Sequence, residues 1–345
     1  MSKYSKAILG AAMKAAVGLA IVAGAGTQAY AQTNILVGRT TGASGFHIPS
    51  YIAMDKGFFK AEGLDAKFVG MTGKALVTAG IGGAINFVPI PGGGSQASLK
   101  GAPLLYLVGQ SLISQWAIVV DSKINSVAEL KGKTLGYGRA GSADYDEGEI
   151  ALGQFFKMNV GRDYNVISFQ GEPERIAALI NGSIQGALVS FPFAAKAQAA
   201  GFKILLRTGD YLPRIGGTFW VTEKYLKENG ETAKKFIRAI AKATSYLAAN
   251  KEGSVPVISK YFGMDAKQAS FVWDTVHDTY GPDIPNDLFE AVFVGRMKQM
   301  QSKGLWPKGK KLPDVEKFVA RDMLNSTLRE MGYYLTAPPA VQGKM

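Results

Sequence analysis

The stretch GYGRAGSADYDEGEIALGQFF, Gly136 to Phe156, sets three glycines and a serine just ahead of a segment with helical character. A glycine-rich turn at a helix start presents free backbone N–H groups at the positive end of the helix dipole, which is the chemistry of an anion site. The donors here are the amides near Gly141, Ser142 and Ala143, and the Ser142 hydroxyl, which otherwise serves only as an N-cap. Arg139 brings a forked guanidinium suited to a carboxylate or sulfonate, or else lies on the surface. Yet Asp144, Asp146 and Glu147 crowd the same turn. First-turn carboxylates cap free N–H groups and suit the dipole. On that basis Asp146, Glu147 and Glu149 are expected to form a solvated helix face, and Asp144 to act mainly as a cap. An Asp144 facing a ligand would favour an amine instead.

Other candidates follow strand-like runs. The loop from Thr40 carries Ser44, Gly45, Phe46 and His47, and His47 is either a hydrogen-bonding group or a structural one. Gln110 and Trp116 bound a second loop, and Ser190 and Phe191 begin a third. Trp220 lies in the strand-like run GGTFWVTEKYL. Phe46, Trp116, Tyr137, Phe191, Phe193 and Trp220 could wall a pocket, although an aromatic residue at a strand end is more often core. Such pockets are mostly apolar with a few placed polar groups, so this many aromatics favours an organic ligand over nitrate.

These residues need strands to position them. From Asn34 the pattern alternates: NILVGRT, LDAKFVG, AINFVPI, PLLYLVGQS and QWAIVVDS read as strands. IPSYIAMDKGFFKAEG, GKALVTAGIGG and SQASLKG read as helices, with Pro89 to Ser95 a loop. The pattern then restarts. TLGYGRAG, NVISFQG, GALVSF and FKILLRTG are strands, separated by helices over SADYDEGEIALGQFFKMN, PERIAALING and AAKAQAAG. GGTFWVTEKYL returns to strand character, and from Glu231 the chain is mostly helical. Two βα segments predict α/β architecture with largely parallel sheets and ligand loops at the strands' carboxyl ends.

Composition narrows the classes. The 345 residues suffice for two domains, with 47% hydrophobic and 19% charged residues. Cysteine is absent, which excludes disulfides, thiolate metal sites, cysteine nucleophiles and lipid attachment through an N-terminal cysteine. Residues 1–31 have the three parts of a cleavable export signal: Lys3 and Lys6, an apolar run to about Gly26, then AYA. Cleavage after Ala31 and a soluble exported protein are expected. Loss of Lys3, Lys6 and Lys14 lowers the net charge from +12 to +9. That charge is dispersed, which favours solubility and anions and argues against nucleic acid. His47 and His277 are the only histidines, and no motif for a metal, a nucleotide or an activated serine is present.

Four stretches in this order resemble the nitrate/sulfonate/taurine family of periplasmic substrate-binding proteins of ABC transporters, which includes thiamine-precursor binders. They are PSYIAMDKGFFKAEGLDAKFV, GAPLLYLVGQS, SVAELKGKTLGYGRAGSADY and ERIAALINGSIQGALVSFPFAAKAQAAG. The chain departs from the family's pattern at GGAINFV, at Gly186 and in the proline- and glycine-rich PIPGGGS. The resemblance implies a two-lobe periplasmic-binding-protein fold (type II), with the ligand cleft between the lobes. One lobe would combine 32–119 with 220–345 and the other would hold 120–219, with hinge crossings near Val119–Lys123 and Gly216–Val221. It also implies capture of a small organic anion, a sulfonate or carboxylate, and delivery to an ABC permease and its ATPase. The protein would act in the periplasm without a cofactor, as a monomer that meets the membrane only through the permease. The alternatives are a thiamine-precursor or pyrimidine-type ligand, or an enzyme on the same fold. The synthases that resemble this family use a cysteine-rich motif that this chain lacks.

Overall fold

The computed structural model describes residues 32–140 and 142–333; the expected export signal and Gly141 lie outside them. Two sheets share one plan. In the first, β1 (Thr33–Thr40) pairs in parallel with β2 (Leu64–Met71), Thr33 opposite Leu64 and Thr40 opposite Met71. β3 (Leu104–Ser111) pairs antiparallel with β9 (Gly217–Thr222). Single bridges, Val37 to Phe87 in parallel and Val88 to Trp220 antiparallel, join the two halves. The expected strand AINFVPI is thus reduced to Phe87 and Val88, and the order is β2, β1, Phe87–Val88, β9, β3.

The second sheet holds β4 (Trp116–Val120), β5 (Thr134–Tyr137), β6 (Asn165–Ser168), β7 (Gly186–Ser190) and β8 (Lys203–Arg207) in the order β6-β5-β7-β4-β8. β5 runs parallel to β6 and β7, whereas β4 is antiparallel to β7 and β8. In each sheet the fourth strand is the reversed one. This corrects the crossings expected from the sequence. QWAIVV pairs wholly within the second sheet, so the first crossing is Leu112–Gln115, upstream of Val119. The second runs from the end of β8 to Gly216, one residue before β9 begins.

Helices cover both sheets. α1 (Ile48–Asp55) and α2 (Phe58–Ala61) are two helices where the sequence suggested one; Gly57, at φ 72°, breaks the run in a conformation that a side chain would resist. α3 spans Gly73–Ile81 and α4 Pro91–Leu99. α4 begins inside the expected Pro89–Ser95 loop, because Pro91 suits a first helical turn and outweighs the three glycines after it. α5 (Ala143–Phe156), α6 (Glu172–Ile180) and α7 (Phe191–Ala199) flank the second sheet.

The tail is helical: α8 (Glu223–Glu228), α9 (Gly230–Ala249), α10 (Lys251–Phe262), α11 (Ala266–Val276), α12 (Asn286–Ser302) and α13 (Arg321–Glu330). α9 supplies Phe236, stacked 3.7 Å from Phe87 and 5.4 Å from Phe59. Burying rings of this size dominates core energetics. α12 holds the first sheet through Phe289 and Phe293, 4.8 and 6.0 Å from Tyr106. α10 leans on the second sheet's flank, with Phe262 5.9 Å from Phe193 of α7. One apolar cluster therefore runs through both halves, and a second, including Ile118, Leu135, Tyr137 and Leu188, lies within the second half.

Candidate functional site

The carboxyl ends of the two sheets meet at the 3-10 turn Gly45–His47. β1 leads into it through Gly42 and Ala43, at φ 86° and 84°. For alanine that is a strained conformation, held by the packing around it. Gly45 N–H then donates to Ser190 Oγ across the cleft at 3.1 Å. A Cβ on Gly45 would stand 2.7 Å from Pro192 Cδ, so only glycine lets the two surfaces come this close. The Gly45 carbonyl accepts from Tyr280 Oη at 2.6 Å. Beside it, Phe46 and Trp116 pack ring to ring across the cleft, 4.9 Å apart and tilted by 50°.

The floor on the first sheet's side is polar and buried. His47 is buried, and burial pushes its pKa down to about 4 despite a hydrogen bond to the Pro89 carbonyl. The ring is therefore neutral near pH 7. Its Nδ1 has no partner among the described residues, and neither does Nε2 of Gln110, which is wholly buried. Gln110 Oε1 is taken by Ser50 Oγ at 2.9 Å. Buried polar atoms are almost always satisfied, so an acceptor and a donor left open here suit an absent hydrogen-bonding partner.

The opposite side is a network of carboxylates and guanidiniums. Asp144 Oδ2 accepts from Gly138 N at 2.9 Å and pairs with Arg175 Nη2 at 2.6 Å. The Ser142 hydroxyl donates to Asp144 Oδ1 and weakly caps the helix by accepting from Tyr145 N at 3.4 Å. Asp146 pairs with Arg296 and accepts from Gln299. Glu147 pairs with Arg214 and accepts from Ser114 and Thr208. All three acids are at most 4% exposed. This overturns the solvated face expected of Asp146 and Glu147; lining up opposite arginines is what allows these charges to be buried. Glu172, also buried, accepts from Ser190 Oγ at 2.7 Å, and burial pushes its pKa up to about 7.

Ser44, Gly45, Phe46, His47, Gln110, Trp116, Ser142, Ala143, Ser190 and Phe191 all lie along this junction. Arg139 is exposed and stands apart from the network. Trp220 is a correction. It is fully buried in the first sheet's core, where Nε1 donates to the Ile90 carbonyl at 3.0 Å. Gly80 and Gly94 make room for its ring, since a Cβ on either would stand 2.7 Å from it. Sequence reading missed Arg175, Arg214 and Arg296. No local motif marks them, although a first turn with three acids was itself a signal that cations must come from elsewhere.

A groove of about 580 Å³ opens beside Trp116, between Phe191 and Arg207 on one wall and the segment from Asp274 to Thr279 on the other. A much smaller cavity, about 30 Å³, sits among Asp146, Glu147, Arg214 and Arg296.

The profile of the NMT1/THI5 like family matches residues 45–254. The chain belongs to that family. A 4-amino-5-hydroxymethyl-2-methylpyrimidine phosphate synthase, THI11 of Saccharomyces cerevisiae, is 28% identical over 235 residues, a match covering 59% of this chain and 64% of the yeast protein. The periplasmic nitrate-binding protein NrtA from Synechocystis PCC 6803 superposes with a TM-score of 0.71 at 15% identity, over 90% of this chain and 91% of that one. The alkanesulfonate-binding protein SsuA from Xanthomonas axonopodis pv. citri, bound to MOPS, gives 0.67 at 18% identity, over 81% and 96%. The NMT1/THI5 like chain therefore has the two-lobe fold of periplasmic binding proteins, with the expected mixture of helices and sheets.

Proposed function

We propose that this protein is an exported solute-binding protein that closes two lobes around a small organic molecule and delivers it to an ABC permease with its ATPase. The lobes would be 32–115 with 217 onward, and 116–216. Closure is a hinge motion whose free energy comes from contacts made to both lobes at once.

One observation directs the ligand class. The turn that looked ready for an anion already holds one of its own, the Asp144 carboxylate, which takes both the Gly138 N–H and the Ser142 hydroxyl. Arg175, Arg214 and Arg296 are likewise committed to carboxylates. An incoming sulfonate or carboxylate would have to displace these partners. The unpartnered polar atoms on the first sheet's side are the neutral imidazole Nδ1 of His47, next in sequence to Phe46, and the amide Nε2 of Gln110, both buried. An acceptor, a donor and aromatic faces suit a flat, neutral or weakly basic heterocycle. The pyrimidine ring in the yeast relative's name is of that kind, and the compound named there carries a phosphate as well. We therefore place a pyrimidine-type solute ahead of an organic anion.

Calorimetric titration of the exported chain with an aminopyrimidine and with an alkanesulfonate tests the choice. Binding of the pyrimidine alone supports it, and tighter binding of the sulfonate overturns it. Capture without chemistry is part of the proposal: the solute should be recovered unchanged after prolonged incubation, and a new product would favour the synthase reading.

A further inference from the structure

Closure brings the first turn of α5 against α12, and the contact is ionic. Asp146 of α5 meets both Arg296 and Gln299 of α12, and Arg296 and Gln299 bond to each other. α12 is anchored on the first sheet through Tyr106, so this cluster bridges the lobes. The side chains of Asp146 and Arg296 are 4% and 5% exposed. The surfaces touch closely around them. A Cβ on Gly92, in the first turn of α4, would stand 3.4 Å from Ala143 Cβ and 3.2 Å from Arg296 Nη2. A Cβ on Gly295, one residue from Arg296, would stand 3.8 Å from Ile150 Cδ1 of α5.

We propose that Asp146, Arg296 and Gln299 form a latch that ties the two lobes together in the closed register. The proposal rests on the two-lobe hinge reading, and it concerns the resting state rather than the solute. A buried pair recovers in Coulomb attraction roughly what it loses in hydration, so the intact latch sets geometry more than strength. Its single variants behave differently. Neutralising one partner leaves the other charge buried in the closed form, whereas the open form can hydrate it. Asp146→Asn and Arg296→Met should therefore each move the lobe equilibrium toward the open form, on the order of a hundredfold. The double variant buries no lone charge and should return toward closure.

The chain has no cysteine, which makes the test direct. Thiols introduced at exposed positions, Lys74→Cys on the first lobe and Gln154→Cys on the second, carry a donor and an acceptor dye. Interlobe transfer efficiency is read on the full chain without any solute, alongside small-angle scattering. Expected are high transfer in the parent, low transfer in each single variant, and recovery in the double variant. An open parent, or single variants that stay as closed as the parent while folded, overturns the latch. Gln299→Leu removes two hydrogen bonds of the cluster and leaves the Asp146–Arg296 ion pair intact; if a single variant fails to fold, partial opening in Gln299→Leu supports the latch and none refutes it. A protein that binds no pyrimidine can still show all of this, so the two proposals fail separately.

Discussion

The Ser190 hydroxyl links Glu172 to Gly45: it donates to Glu172 Oε2 at 2.7 Å and accepts from Gly45 N at 3.1 Å. One side chain thereby carries a hydrogen-bond chain from the first turn of α6 across the cleft to the turn after β1. Ser190→Ala should leave Gly45 N–H and one Glu172 contact unsatisfied inside the protein. The expected cost is about 1–3 kcal/mol, read as a fall in the urea midpoint with the slope of the transition unchanged.

Glu172 and His47 pull stability in opposite directions with pH. Glu172 has a folded pKa raised by burial to about 7 from 4.5. The folded state therefore binds the extra proton between those values, and stability rises as pH falls through that window. His47 is lowered by burial to about 4 from 6.5. There the unfolded state binds the extra proton, and stability falls as pH drops from 6.5 to 4. Over pH 6.5 to 4.5 the two effects offset. Glu172→Gln should expose the His47 effect, a loss of about 2 kcal/mol across that range. His47→Asn should expose the opposite slope. Thermal unfolding of the parent and both variants at closely spaced pH values checks the signs, and equal slopes in all three would refute the account.

Much of this architecture was legible in the sequence because it rests on local rules. Alternation of apolar runs marked the strands, and Gly45 and Ser190 stood out by following strand ends. What failed depended on distant partners. Trp220 lies in a strand-like run just as Trp116 does, but β9 pairs antiparallel with β3 and sends the Trp220 ring beneath the sheet, into space left by Gly80 and Gly94. Asp146 and Glu147 read as surface because the arginines that neutralise them, Arg296 and Arg214, lie far along the chain. No window of sequence contains both halves of such a pair.

Gly45→Ala is expected to act on closure. The added methyl would meet Pro192 Cδ at 2.7 Å and Gln115 Oε1 at 3.2 Å. Opening the lobes relieves the contact with Pro192, and the Gln115 amide can give by the few tenths of an ångström its own contact needs, so the fold should persist while the closed form is penalised. Overpacking of this size costs about 1–3 kcal/mol. A solute held by both lobes should lose between roughly 5-fold and 150-fold in affinity. Titration with the solute identified by calorimetry gives the number, and unchanged affinity would mean that closure does not bring Gly45 this near to Pro192.

Asp144 carries the decisive test of the turn's polarity. Its carboxylate receives Gly138 N–H, the Ser142 hydroxyl and Arg175 Nη2, and both partners of the ion pair are almost fully buried. If Asp144 only capped the helix, Asp144→Asn would be nearly silent, because asparagine caps as well as aspartate. The structure requires more. The substitution would remove the carboxylate paired with the Arg175 guanidinium and leave it to the Leu188 carbonyl and the Glu172 carboxyl nearby, which burial holds largely protonated below about pH 7. The expected loss is about 3–5 kcal/mol, the range for breaking a buried pair by removing one partner. Asp144→Asn combined with Arg175→Met removes the stranded charge and should recover much of that loss. Denaturant unfolding of the single and double variants separates the outcomes. A silent single variant would restore the capping role and reopen the turn as a seat for an external anion; a large loss with recovery in the double variant means that the turn is filled by the protein's own carboxylate.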